Sequence, residues 1–174
     1  MQTIQAKNED RVLKRTVLIV SAFAAFLVPF LNSAVNLALP AIGRDMQTNA
    51  LGLSWIVSSS MLASAVFLLP FGRLGDIAGR KKVFSTGIVL FTISSFLIVF
   101  SHSITSLIIL RVLQGVSSAM IFGTSLAILT SVFPQGERGH AMGISVTSTY
   151  LGLSAGPVIG GFLTETFGWR SIFG

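Results

Sequence analysis

Charged residues in this sequence gather into short clusters and leave five long stretches, 16–43, 46–72, 83–110, 112–136 and 139–164, without a single Asp, Glu, Lys or Arg. Each exceeds the ~20 residues that carry an α-helix across a hydrocarbon core of ~30 Å at 1.5 Å per residue. In that medium the backbone has no water to bond with, and a helix satisfies its N–H and C=O groups within the segment. Composition agrees: 10% of the residues are charged, against ~25% in an ordinary soluble domain, and mean hydropathy is +0.81. The expected fold class is an all-α polytopic membrane protein.

The same distribution excludes other classes. A net charge of +6 would suit nucleic acid only if the cations formed a face on a soluble domain. Here they fall in the connections between apolar spans, so no nucleic-acid partner is expected. The chain has no cysteine, hence no disulfide framework, thiolate metal site or thiol nucleophile. No nucleophile–base pair or metal cluster is apparent, so neither an enzyme nor a cofactor is implied. The apolar run after the basic N-terminus is too long for the ~7–15 residue core of a signal peptide and reads as an uncleaved first helix.

Spans are expected at about 16–39, stopped by Pro40, then 53–71, 83–100, 104–133 and 140–163, with a sixth starting about 170. Residues 1–15 form a tail, and 16–174 an incomplete N-terminal transmembrane bundle. Pro134 to Gly139 should break the chain between the fourth and fifth helices. Lys7, Arg11, Lys14, Arg15, Arg73, Arg80, Lys81, Lys82 and Arg138 fall on one side, against Arg44 and Arg170 on the other. By the positive-inside rule the N-terminus is cytoplasmic and the protein multi-pass in the plasma membrane. Only four residues follow Arg170, so the sequence is expected to be the N-terminal portion of a longer polypeptide whose further helices are its partners, together with the lipid bilayer.

All six carboxylates lie outside the expected spans, and Arg111 is the one charged residue inside them. Its head either snorkels to the outer interface or sits in a helix contact. Arg111, Gly115, Ala119, Gly123 and Ala127 recur every four residues, a small-residue stripe that lets another helix approach closely, and Gln114 adds an amide beside it. The fifth helix carries a denser stripe, Ser148, Gly152, Gly156 and Gly160, with Pro157 and Gly161 alongside. On the first helix, Asn32 and Asn36 share a face with Pro29 and Pro40. These amides serve either as glue between helices or as the lining of a substrate cavity. Between the second and third helices, Gly72, Gly75 and Gly79 surround Asp76 among Arg73, Arg80, Lys81 and Lys82, a constrained loop suited to a conformational joint. It lacks the phosphate-binding pattern of a nucleotide loop.

Taken together these stretches resemble the major facilitator superfamily, and within it the proton-coupled multidrug exporters of the fourteen-helix type. Gly72-x-Leu74-x-Asp76-x-x-Gly79-Arg80-Lys81 is similar to the signature loop between helices two and three. Leu107-x-x-x-Arg111-x-x-Gln114-Gly115 resembles the fourth-helix motif, whose arginine is assigned to proton coupling. Gly143-x8-Gly152-x3-Gly156-Pro157-x2-Gly160-Gly161 matches the fifth-helix antiporter motif. Leu31 to Pro40 resembles the first-helix signature, except that Asn32 stands where the family has an aspartate. Trp169-Arg170 resembles the entrance to the sixth helix, with Ser171 where a tryptophan is usual. The resemblance implies a secondary transporter that expels hydrophobic or cationic small molecules against a proton gradient by alternating access. It gives Arg111, Gln114, Asn32 and Asn36 coupling or cavity roles, Asp76 and Arg80 control of the joint, and the fifth-helix glycines a packing role. Two other readings stay open: a metabolite uptake or facilitated-diffusion carrier of the same superfamily, and a non-transporting membrane assembly subunit.

Overall fold

A computed structural model describes the backbone of residues 2–174 and the side chains from Arg11 onward; the Lys7 counted above lies outside the described side chains. The described chain is all-helical: α1 (Gln2–Asp45), α2 (Ala50–Ala78), α3 (Arg80–Val99), α4 (Ile104–Val132), α5 (Gln135–Phe167) and a final 3-10 turn, Trp169–Ile172. Asn49 starts α2 by accepting a hydrogen bond from the Gly52 N–H at 3.0 Å, and Ser103 starts α4 in the same way from Ser106 at 3.2 Å. Each side-chain oxygen satisfies one of the orphan donors at a helix start.

Four boundaries differ from those expected. α1 does not stop at Pro40 but runs through Pro29 and Pro40 to Asp45, and residues of the expected tail extend its other end. A proline deletes one backbone bond, and in a packed membrane helix the neighbours absorb that loss. α2 passes Phe71 and continues to Ala78, so Gly72, Gly75 and Asp76 belong to a helix and not to a loop. A helix has no reason to end where the hydrocarbon ends, because its i to i−4 bonds persist in water. The whole connection to α3 is Gly79, at φ 104°, a backbone conformation costly for any residue with a Cβ. The break before α5 is likewise shorter than expected: α5 begins at Gln135 with Pro134 as its cap, a position where the missing N–H costs nothing. Glu137 then falls in the first turn, where the helix dipole favours an anion. Beyond Gly168 the chain makes a 3-10 turn in place of an α-helix starting at 170.

On length and composition, α1 to α4 each suffice to cross a membrane. α5, at 33 residues, is long enough but diluted by glycine, serine and threonine. Its place in the bundle comes from packing lengthwise on α1, while α4 packs on α2 and α3. The two small-residue stripes make these contacts. Gly152 faces the Phe26 carbonyl, and Gly156 and Gly160 face Ser33 and Ala34 of α1. Gly115 lies against the Ser60 carbonyl of α2, and Gly123 against Leu68 and Gly72. Such approach matters because lipid competes equally for apolar surface, leaving close packing as the force that selects partners. The core between them is apolar, with Ala34, Val35, Ala38, Ile42, Ile56, Ile98 and Leu107 fully buried.

Ion pairs mark the two ends. Lys14 of α1 meets Glu137 of α5 at 2.7 Å at the end that also holds Arg73 to Lys82. At the other end Arg170 meets Asp45 at 2.7 Å. The basic cluster and the sparsely charged end therefore lie on opposite sides of the bundle.

Candidate functional site

Arg111 is buried to 2% exposure between the helices, so its head does not snorkel to the interface. Its Nε donates to the Ile56 carbonyl of α2 at 3.0 Å. Nη1 donates to Gln114 Oε1 one turn along α4 at 2.9 Å, and Nη2 donates to Asn32 Oδ1 of α1 at 3.1 Å. Gln114, equally buried, passes the chain on: its Nε2 donates to Ser95 Oγ of α3 at 2.7 Å, and Ser95 donates to the Phe91 carbonyl at 2.8 Å. One guanidinium and one amide thus link α1, α2, α3 and α4. Every acceptor on Arg111 is a neutral oxygen, and among the described residues no carboxylate lies within 4 Å of it. An isolated charge in a low-dielectric interior is costly unless its donors are used, and the three hydrogen bonds meet that need in part.

Asn32, Arg111 and Gln114 are brought together; Asn36 is not. It is exposed and makes no hydrogen bond within the described residues. Beside Asn32 lies a cavity of about 270 Å³, lined among others by Ser60, Ser64, Ser118 and Phe122. Ser95 and these cavity serines are absent from the sequence-derived site. Small hydroxyls in a membrane helix usually bond their own backbone, as Ser118 does to Gln114, so their composition carries no signal.

At the basic end, Arg80 Nε and Nη2 hold Asp76 Oδ1 at 2.8 and 2.7 Å, while Nη1 reaches the Ala127 carbonyl of α4 at 2.9 Å. Asp76 does not cap α3, whose start at Gly79 has no side-chain acceptor; it orients the arginine that ties the α2–α3 corner to α4. Gly75 is buried against Thr124 and Gly72 lies by the Gly123 carbonyl, so these glycines serve close approach. Lys81 is exposed.

Of the fifth-helix motif, Gly152, Gly156 and Gly160 are buried on α1, Gly161 is held off only by the tip of Leu37, and Gly143 has nothing within 4 Å of where a Cβ would be. Pro157 is exposed. At the opposite end Asp45 Oδ2 accepts from Trp169 Nε1 at 3.0 Å and from Arg170 Nη1 at 2.7 Å. Arg170 also donates to the Ser101 carbonyl at 3.0 Å and lies over the Trp169 ring at 4.4 Å. Asp45 and Trp169 are 124 positions apart, a separation that no sequence spacing flags.

Comparison with known proteins gives a consistent picture. The profile of the Major Facilitator Superfamily matches residues 21–174. The riboflavin transporter RibZ of Clostridioides difficile is 38% identical over 160 residues, covering 92% of this chain and 35% of that protein. The multidrug resistance protein Stp of Mycobacterium tuberculosis is 37% identical over 158 residues, 90% of this chain and 29% of its own. The tetracenomycin C resistance and export protein of Streptomyces glaucescens is 33% identical over 156 residues, again 90% and 29%. The chain spans about a third of the length of these relatives. In fold, it resembles the crystal structure of a bacterial homolog of the human lysosomal transporter Spinster, inward-facing and unoccupied. That likeness has a TM-score of 0.78 at 19% identity, over 92% of this chain and 39% of the other.

Proposed function

Because this multi-pass membrane chain belongs to the major facilitator superfamily, we propose that its five long helices furnish the N-terminal bundle of a secondary transporter that exports small hydrophobic molecules by alternating access, driven by the proton gradient. The observation that carries this reading is the buried Arg111, whose hydrogen bonds reach α1 and α2 directly and α3 through Gln114. A charged group buried among membrane helices marks a pathway more often than a structural prop. The relatives named for drug resistance and export favour efflux. In this reading the basic end faces the cytoplasm, and Arg80, held by Asp76 against α4, keeps the cytoplasmic corner of the bundle rigid while it rocks. The small-residue contact of α5 with α1 makes the rocking body stiff.

A metabolite carrier of the same superfamily is the second reading, favoured by the likeness to a riboflavin transporter. One experiment separates them. Inside-out vesicles from cells expressing the complete gene product are energised with a proton gradient and offered riboflavin beside neutral, anionic and cationic dyes. Uptake of several unrelated dyes, abolished by collapsing the gradient, supports drug export. Movement of riboflavin alone supports the metabolite carrier, and no movement of any compound overturns both.

A further inference from the structure

We propose that the cavity beside Asn32 selects anionic amphiphiles over cationic ones, with Asn32 as the specificity-determining residue; the proposal rests on the transport reading but is read out by binding. The cavity, about 270 Å³, is reached from α1, α2 and α4 and includes Val28, Asn32, Ser60, Ser64, Ser118 and Phe122 in its lining. Its walls are apolar and hydroxyl-bearing, and none of its lining residues is an acid. Directly behind Asn32 stands the Arg111 guanidinium, 3.1 Å from its amide oxygen.

The electrostatics follow from protonation chemistry. A guanidinium keeps its charge inside proteins, whereas its three acceptors here, Ile56, Gln114 and Asn32, are neutral. The positive charge is dispersed by hydrogen bonds and not cancelled. Asn32 passes it to the cavity. Its oxygen is bound to Arg111, which leaves its NH₂ group as a donor with no partner among the described residues, and the only enclosed polar side-chain atom left unpartnered there is Ser59 Oγ. The Asn32 amide nitrogen is therefore an open donor, polarised by the cation behind it. The hydroxyls of Ser60 and Ser118 spend their hydrogens on the Val57 and Gln114 carbonyls and add no charge of either sign. A carboxylate, enolate or similar anionic group on an apolar ring system meets a donor and an attractive field at this wall. A lipophilic ammonium meets repulsion at the same wall.

The probes are pyrenebutyrate and a pyrenebutyl trimethylammonium salt, alike in ring and chain and opposite in charge. Binding to the complete gene product in zwitterionic nanodiscs is followed by pyrene fluorescence, with empty discs subtracted. The wild type should bind the anion roughly tenfold or more tightly than the cation, the order of effect one uncancelled charge gives in a partly screened site. Asn32→Asp places a carboxylate against Arg111 and should erase or reverse that preference. Ser64→Asp, on the α2 wall and outside the arginine network, should do the same if Asn32→Asp does not fold. Equal binding of both probes, or tighter binding of the cation by the wild type, overturns the proposal. So does an anion preference that survives both substitutions, or failure of both probes to bind. Selective binding of the anion with no transport in vesicles leaves the proposal standing and overturns the transport reading instead.

Discussion

The Asp76–Arg80 pair shows how little of a residue's importance need be stability. Both side chains are substantially exposed, at 58% and 39%, and an exposed i,i+4 pair contributes less than about 1 kcal/mol. Its consequence is directional, since Asp76 holds Arg80 in the orientation that reaches the Ala127 carbonyl. Asp76→Asn should leave insertion and thermal stability in detergent nearly unchanged while cutting transport by the complete protein strongly; near-normal transport at equal expression would remove the role. Arg80→Lys should be as damaging, because one ammonium cannot hold two fixed acceptors as a planar guanidinium does. Arg111 is the opposite case. Arg111→Lys keeps the charge but abandons bonds to residues of two other helices, and each hydrogen bond to a charged group contributes about 1.5–3 kcal/mol. A marked fall in the unfolding temperature should accompany lost transport, and an unchanged unfolding temperature would show that the hydrogen bonds do not hold the helices. Sequence placed Arg111, Gln114 and Asn32 as a group because a lone charge among apolar residues is conspicuous and amides near it are few. Asn36, grouped with them by sequence, takes no part in that hydrogen-bond network among the described residues. Four residues on a helix leave a net rotation of only about 40°, so spacing alone could not separate the half-buried Asn32 from the exposed Asn36.

Helix spacing reads out which face is small, but not which partner fills it. The recurrence of glycine every four residues located the stripes on α4 and α5, whereas the pairing of α4 with α2 and of α5 with α1 is a property of the packed bundle. The same limit applies within the fifth-helix motif, where Gly143 and Gly156 look equivalent in sequence. A Cβ on Gly156 would lie 2.6 Å from Ser33 Cβ and 2.9 Å from the Phe30 carbonyl, while a Cβ on Gly143 would meet nothing within 4 Å. Gly156→Leu should therefore prevent α5 from closing on α1, and even Gly156→Ala should destabilise the bundle by roughly 1–3 kcal/mol, the usual cost of overpacking. Gly143→Ala should be neutral or stabilising by up to about 1 kcal/mol, through the helix propensity of alanine. Thermal unfolding of the two alanine variants side by side checks this, and equal melting would mean that α5 does not lie on α1 in this register. Helix ends were the least readable feature. Proline and polar clusters at Pro40, Gly72–Gly79 and Pro134–Gly139 suggested breaks, yet a helix whose faces are already covered continues through a proline, and one glycine at positive φ suffices to turn the chain.

At the scale of the whole molecule, what matters is which surfaces the bundle leaves uncovered. Leu69 and Ile77 of α2 and Val158 of α5 are each more than 70% exposed, and lipid covers such side chains well. The Asn32 cavity is different, because its open amide is expensive against hydrocarbon, and the chain corresponds to only about a third of the curated relatives' length. A route that opens alternately to the two sides needs a second body against which the first can rock, and one bundle presents a wall without its opposite. The 174-residue polypeptide expressed alone should therefore insert, with a basic end and a sparsely charged end on opposite sides, but should not transport. Its orientation is checked by labelling single cysteines placed in turn at the exposed His102 and Gly136, a straightforward choice in a chain with no native cysteine. An impermeant reagent added outside should reach the first and not the second. Transport is checked in proteoliposomes under an imposed proton gradient, with one anionic and one cationic dye followed over time. Saturable efflux above that of empty liposomes would mean that these helices assemble with copies of themselves into a complete pathway. Absence of efflux, together with recovery when the chain is joined to the rest of its gene product, would locate the moving interface between this bundle and its counterpart.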